Sequence, residues 1–280
     1  MKLLKRIKQR NTSDGNGVKI KRIAGFDNSI DPILMIDELK SDNPDDYIGG
    51  FPPHPHRGME TFTYIKKGGF EHKDHLGNKE EIRENGTQWM STGKGILHSE
   101  MPLNDAINGM HGFQIWINMP AKNKMREPIY KDSNKLGNPI HVSHNKSSLR
   151  AIAGEWLFEG KILKAAITET SANTKIADIF IPKGEKINLN KLNGDMKAIF
   201  IYEGKLADNL SNGNELILFE SDNNLEFKAH NNTDVKALIF DAESINEKIV
   251  HYGPFVMNTE EEINQAVIDF RNGKFGTINE

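Results

Sequence analysis

Cysteine is absent from the 280 residues. That excludes disulfides, thiolate nucleophiles and Cys-ligated zinc or iron–sulfur centres, so any metal must be held by imidazole and carboxylate. Long apolar runs are absent too. Nothing approaches the ~20 residues of a membrane-spanning helix, and the basic start MKLLKRIKQR lacks the apolar stretch of a secretory signal. An excess of either charge is missing, with 36 basic against 39 acidic residues and a formal balance of −3. Such a chain has no field to draw it onto nucleic acid or an anionic membrane. These absences point to a cytoplasmic protein whose partners are small molecules or other proteins, with no direct nucleic-acid contact and no membrane.

What is present is a chain 37% apolar, long enough for one large domain or two ordinary ones. Short β-type runs dominate: TFTYI (61–65), FQIWINM (113–119), DIFI (178–181), KAIFIY (197–202), ELILF (215–219) and KALIF (236–240). Gly, Asn and Asp clusters separate them at the spacing typical of sandwiches and barrels. One helix is predicted near the end, over 259–273. Thr259 followed by Glu262 is a capping box, and Ile263, Ala266, Val267 and Phe270 form one apolar stripe before Gly273. Gly68 and Gly204 lie 136 residues apart in similar strand–turn–hairpin contexts, an offset that two repeated β-barrels would explain. The polar stretch 131–150 is the natural connector between a domain at 1–130 and another at 151–280.

Chemistry concentrates in HPHRGME (54–60) and GKGILHSEMP (93–102). Residues two apart on a strand share a face. His54 and His56 therefore face together, and Glu60 joins them if the strand continues. Pro55 points the other way and holds the backbone extended, while prolines 52, 53 and 55 remove ladder donors and place the segment at an edge or a barrel mouth. His98 and Glu100 repeat the same parity. Together the segments offer three imidazoles and a carboxylate, a set suited to a first-row divalent ion with open positions. Parity leaves open whether Glu60 or Glu100 closes the sphere or only hydrogen-bonds inside the barrel.

The remaining histidines have plainer readings. EHKDH (71–75) follows Gly68 and Gly69 in a hairpin, where exposed polar residues are ordinary, and HVSH (141–144) falls in the connector. His111 opens a strand in which Gln114 could face inward. Arg57 lies off the ligand parity and reads as structural. In the second half, IPKGEKINL (181–189) carries no histidine, and His230 has no same-face partner.

The longer strings GGFPPHPHRGMETFTYI, QWMSTGKGILHSEMP, HGFQIWINMP and HYGPFVMNTEEEI, with DPILMIDELK (31–40), resemble the pirin family of the cupin superfamily. The likeness is dense over about 17–120 and in the terminal segment, and thin over about 130–250. It implies an all-β fold of two cupin-type barrels, each a double-stranded β-helix or jelly-roll, with a C-terminal helix. Iron would sit in the first barrel only. The family's ligands fall on His54, His56, His98 and Glu100, which leaves Glu60 in the barrel wall or just behind the ligands. The general cupin pattern has an asparagine four residues after this histidine, where the present chain has Pro102.

The resemblance further implies quercetin 2,3-dioxygenase chemistry: ring cleavage of a flavonol with release of carbon monoxide. One divalent ion is expected, Fe(II) foremost, with Mn, Ni, Cu, Co or Zn compatible with the same donors. Glu100 would serve as catalytic base, and Phe51, Met59 or Phe113 would stack on a small planar aromatic substrate that reacts with dioxygen. Pirins are also linked to regulation, which allows a non-enzymatic role in binding a protein partner. A zinc or nickel cupin acting on a sugar or small acid is a third reading.

Overall fold

The computed structural model describes residues 2–134, 136–207, 210–221 and 224–278. Five of the six strand segments expected from the sequence lie within strands, at Met59–Lys67, Lys175–Ile181, Met196–Glu203, Glu215–Glu220 and Val235–Ala242, and the sixth, 113–119, runs one residue past the end of Met110–Asn118. The described residues form two compact units. One comprises Arg10–Lys135 and Ile245–Glu280, the other Met1–Gln9 and Leu136–Ser244. These limits differ from the sequence expectation at both termini and in the middle. Lys2–Lys8 pairs with Glu215–Glu220, the terminal helix packs on the first barrel, and among the described residues strands occupy parts of 131–150. Ile129–Asp132 closes one edge of the first unit's sheet, while Ile140–Val142 pairs with Ser148–Ala153 in the second. Polar composition marked 131–150 as a linker, but half-exposed edge strands are polar as well.

The first unit has a seven-stranded sheet in the order Ile129–Asp132, Thr87–Ser91, Met59–Lys67, Met110–Asn118, Ile33–Ser41, Val18–Ala24 and Arg10–Asp14. Its companion is a four-stranded sheet ordered Phe51–His56, Ile96–Pro102, Gly69–Asp74 and Lys79–Arg83. The second unit repeats the seven-plus-four scheme. The repeat extends to the turn glycines: Gly68 and Gly204 take φ of 80° and 85°, the left-handed region open to glycine. In the second unit Lys186–Asn190 pairs with Asn224–Lys228, as Phe51–His56 pairs with Ile96–Pro102 in the first. Those strands turn Ile187, Leu189, Leu225 and Phe227 into an apolar core with Trp156, Ile179 and Phe219. Hydrocarbon thus fills the interior of the second barrel where the first places imidazoles.

The terminal helix runs Glu260–Arg271, with Thr259 as its N-cap in a complete capping box and Gly273 at φ 73° beyond its end. Ile263 and Ala266 are buried and Val267 is partly so, packed with Phe255, Met257 and Phe275 against Leu97. Leu97 lies between Ile96 and His98, so the helix supports the strand that carries His98 from behind. Phe270, expected in the same stripe, is 39% exposed although its ring touches Phe255 and Phe275. The helix is pinned by Asp269, which accepts from buried Arg57 Nη1 at 2.9 Å and from Lys274 Nζ at 2.8 Å, while Arg57 also lies over the Phe275 ring. Arg57 is structural, as its parity suggested.

The hydrogen bond from Lys274, with those from Gln265 and Arg57, outweighs burial and holds the Asp269 carboxyl down at about 2. The unfolded chain, titrating near 4, binds more protons through that window, so the Asp269 contribution is complete above about pH 4 and fades as pH falls toward 2. Asp269→Asn should cost about 3 kcal/mol at pH 7, because it leaves Arg57 buried without its counter-charge. The gap between variant and wild type should narrow between pH 5 and pH 2.5 in urea melts. A gap independent of pH would contradict the ion pair.

Candidate metal centre

Phe51–His56 and Ile96–Pro102 pair antiparallel, with His56 opposite Ile96 and His54 opposite His98. Direct partners project to the same face, and the two-residue spacing keeps His54 beside His56. The ligating nitrogens of His54, His56 and His98 consequently lie within 4.8 Å of one another. Their ring centroids are 4.3 to 5.0 Å apart.

Backbone carbonyls orient two of the rings. His54 Nδ1–H donates to Pro52 O at 2.8 Å, and His56 Nδ1–H donates to Pro254 O at 3.3 Å. Each bond leaves Nε2 bare for a ligand, the usual arrangement of metal-binding histidines. His98 is fully buried, and neither of its ring nitrogens has a hydrogen-bond partner in the described structure. Leaving a buried polar atom unpaired costs about 1–3 kcal/mol, and a cation at the meeting point of the rings would remove that cost. Burial pushes the His56 and His98 pKa values well below the ordinary range, and the neighbouring rings add to it. Both are neutral at physiological pH, the form that ligates. These residues fit a first-row divalent ion.

Glu100 is buried on the same strand as His98 and faces the same cavity, outside the 4.8 Å grouping. Thr63 Oγ1 donates to its Oε1 and Gln114 Nε2 to its Oε2, each at 2.9 Å. Gln114 is thus the inward-facing residue of its strand, while His111 turns to Glu38 at 3.0 Å. Glu60 lies elsewhere. Its carboxylate accepts from Trp89 Nε1 at 3.0 Å and Arg126 Nη2 at 3.4 Å in the barrel wall. The parity joining it to His54 and His56 fails because the strand ends at His56 and a new one begins at Met59, with Gly58 between them at φ 79°.

One pair escaped the sequence reading. His72 and Asp74, expected in an exposed hairpin, are 0% and 3% exposed. They lie on Gly69–Asp74, opposite Glu100 and His98 respectively. His72 Nε2–H donates to Asp74 Oδ2 at 3.2 Å, Gln88 Nε2 donates to its Nδ1 at 3.0 Å, and its ring centroid is 5.5 Å from that of His98. The signal available was Phe70, His72 and Asp74 at strand alternation, overridden by the adjacent glycines and charges.

The centre opens into a cavity of about 730 Å³. Phe26, Phe51, Phe70 and Trp116 supply apolar wall, with Trp116 5.1 Å from the His56 ring and Phe26 stacked on His251. Of the three side chains expected to stack on a substrate, Phe51 is so placed. Met59 is instead buried with Leu34 and Val256, away from the cavity lining. Phe113 borders the cavity, but its ring packs against Tyr64 and His111, on the parity opposite to Gln114.

Replacing His98 with leucine removes the two unpaired nitrogens along with the ligand. In chelator, His98→Leu should melt no lower than wild type. Addition of Fe(II) or Mn(II) should raise the wild-type melting temperature and leave that of the variant unmoved. An equal rise in both proteins would place the ion elsewhere.

Comparison with known proteins accords with this architecture. The family profile described as Pirin matches residues 17–117, and that of the Pirin C-terminal cupin domain matches 176–276. The curated "Putative quercetin 2,3-dioxygenase" of Vibrio cholerae is 41% identical, over 95% of this chain and 94% of that protein. Pirin of Homo sapiens is 33% identical, over 95% and 91%. The crystal structure of quercetin 2,3-dioxygenase from Acinetobacter baumannii superposes with a TM-score of 0.87 at 28% identity, covering 99% of each chain. Matched along both barrels, with its histidine strings within the first, the chain belongs to the pirin family.

Proposed function

We propose that this protein is a metal-dependent dioxygenase that opens the heterocyclic ring of a flavonol, incorporating both atoms of dioxygen and releasing carbon monoxide. The observation that carries this reading is the convergence of three imidazoles beside a buried glutamate, in a cavity with room for flat rings. The names borne by the Vibrio and Acinetobacter relatives support the same substrate class. In this reading His54, His56 and His98 hold the ion, with Glu100 as a fourth donor. Fe(II) is the ion proposed, and the same donors suit Mn, Ni, Cu, Co or Zn. Bound there, it supplies positive charge favouring an ionised substrate hydroxyl and a redox partner for oxygen.

The protein's own part is acid–base chemistry and placement. Glu100 takes the proton of the flavonol 3-hydroxyl. Thr63 and Gln114 each give one hydrogen bond to a carboxylate oxygen, and each oxygen retains a lone pair for that proton. Trp116, Phe51 and Phe70 exclude water from the rings. A small planar aromatic and dioxygen are the partners proposed, in the cytoplasm.

Iron-loaded protein in air should bleach the long-wavelength absorption band of quercetin and release carbon monoxide. Glu100→Gln should retain most of the metal while kcat falls by about 10² to 10⁴, the range for loss of a general base. Absence of turnover with Fe, Mn, Ni, Cu and Co alike would end the dioxygenase reading and favour a binding role.

A further inference from the structure

Cross-strand partners form continuous rows over the inner face of the first unit's seven-stranded sheet. Thr63 is paired with Gln114, Gln114 with Asp37, and Asp37 with Arg22. Direct partners share a face, and all four border the cavity. Two residues along, Ile65, Gly112 and Leu39 form a parallel row, and on the other side Thr61, Trp116 and Met35 form another. The floor is therefore a polar stripe between two largely apolar ones, with the side-chain-free Gly112 in the middle of one. Three strand spacings of ~4.8 Å make the stripe about 14 Å long, the scale of a planar three-ring molecule.

The ends of the stripe differ. At one, Thr63 and Gln114 hold Glu100 beside the histidines. At the other, Arg22 Nε and Nη2 donate to Asp37 Oδ1 and Oδ2 at 2.8 and 2.7 Å, and Nη2 also donates to Asp14 Oδ2 at 2.5 Å. Two carboxylates on one guanidinium leave that end net negative. Asp37 is the buried member, and both of its oxygens keep a lone pair. Such an end receives hydroxyl donors and repels carboxylates.

We propose that Asp37, fixed by Arg22, is the acceptor that selects hydroxyl groups on the far ring of a flat oxygenated aromatic whose other end lies at Glu100. This inference rests on the flavonol reading above and adds the basis of discrimination within that class. Asp37 acts by touching the substrate, and Arg22 is a positioning residue. Asp14, half-exposed, completes the charge.

The test is the anaerobic dissociation constant of the metal-loaded protein for three flavonols, read by fluorescence quenching. Quercetin carries two far-ring hydroxyls, kaempferol one and galangin none. Wild type should bind quercetin about ten- to a hundredfold more tightly than galangin, the range for a hydrogen bond to a charged group, with kaempferol between. In Asp37→Asn that ratio should fall close to one, and in Asp14→Asn it should persist. Equal wild-type affinity for quercetin and galangin overturns the proposal, as does an undiminished ratio in Asp37→Asn. Should that variant fail to fold, the wild-type ratio alone decides. Binding with the expected ratio but no turnover in air would overturn ring opening and leave this assignment standing, whereas failure to bind any of the three overturns both.

Discussion

Everything at this site depends on one strand register. Pairing His98 opposite His54 gathers three imidazoles in one small volume, and burial keeps His56 and His98 neutral. A slip of one residue would send His98 to the opposite face and bring Leu97 into the barrel. Such a slip is opposed from behind by the terminal helix, because Leu97 has its own apolar slot against Phe255, Ile263 and Phe275. The register is thus held on both faces of the strand, by hydrocarbon on one and by pairing on the other.

The two barrels show what the same scaffold does with and without that demand. In the second, Ile187, Leu189, Leu225 and Phe227 close the interior as packed hydrocarbon. In the first, the corresponding strands carry groups that cannot all satisfy one another. His98 is left with two unpaired nitrogens, while Glu60, Arg126 and Trp89 settle their polar needs within the wall. A protein interior tolerates an unsatisfied donor set only where something repays it, and among the described residues no second group of three candidate ligands gathers in this way.

Strands, helix and histidines were legible from the sequence because each rests on a local rule: alternation, a capping box, a two-residue spacing. What was not legible involved the path of the chain between elements. Parity grouped Glu60 with the histidines, but parity holds only within one strand, and Gly58 ends that strand. His72 and Asp74 appeared exposed because glycines and charges flank them, yet strand alternation turns both to the buried face of their sheet while Glu71 and Lys73 stay partly exposed. The limits of the units were hidden for a similar reason. Nothing in the composition of residues 2–8 or 245–278 indicates which barrel they join, since strand pairing and helix docking over such separations are set by tertiary packing.

Pro254, whose carbonyl orients His56 across 198 residues of sequence, also has a bearing on biosynthesis. The orienting bond cannot form until that stretch leaves the ribosome, well after the first barrel's own strands have emerged. A nascent chain can therefore fold most of the barrel before the His56 ring is set, and an ion taken up there would meet all three oriented imidazoles only once residue 254 has emerged.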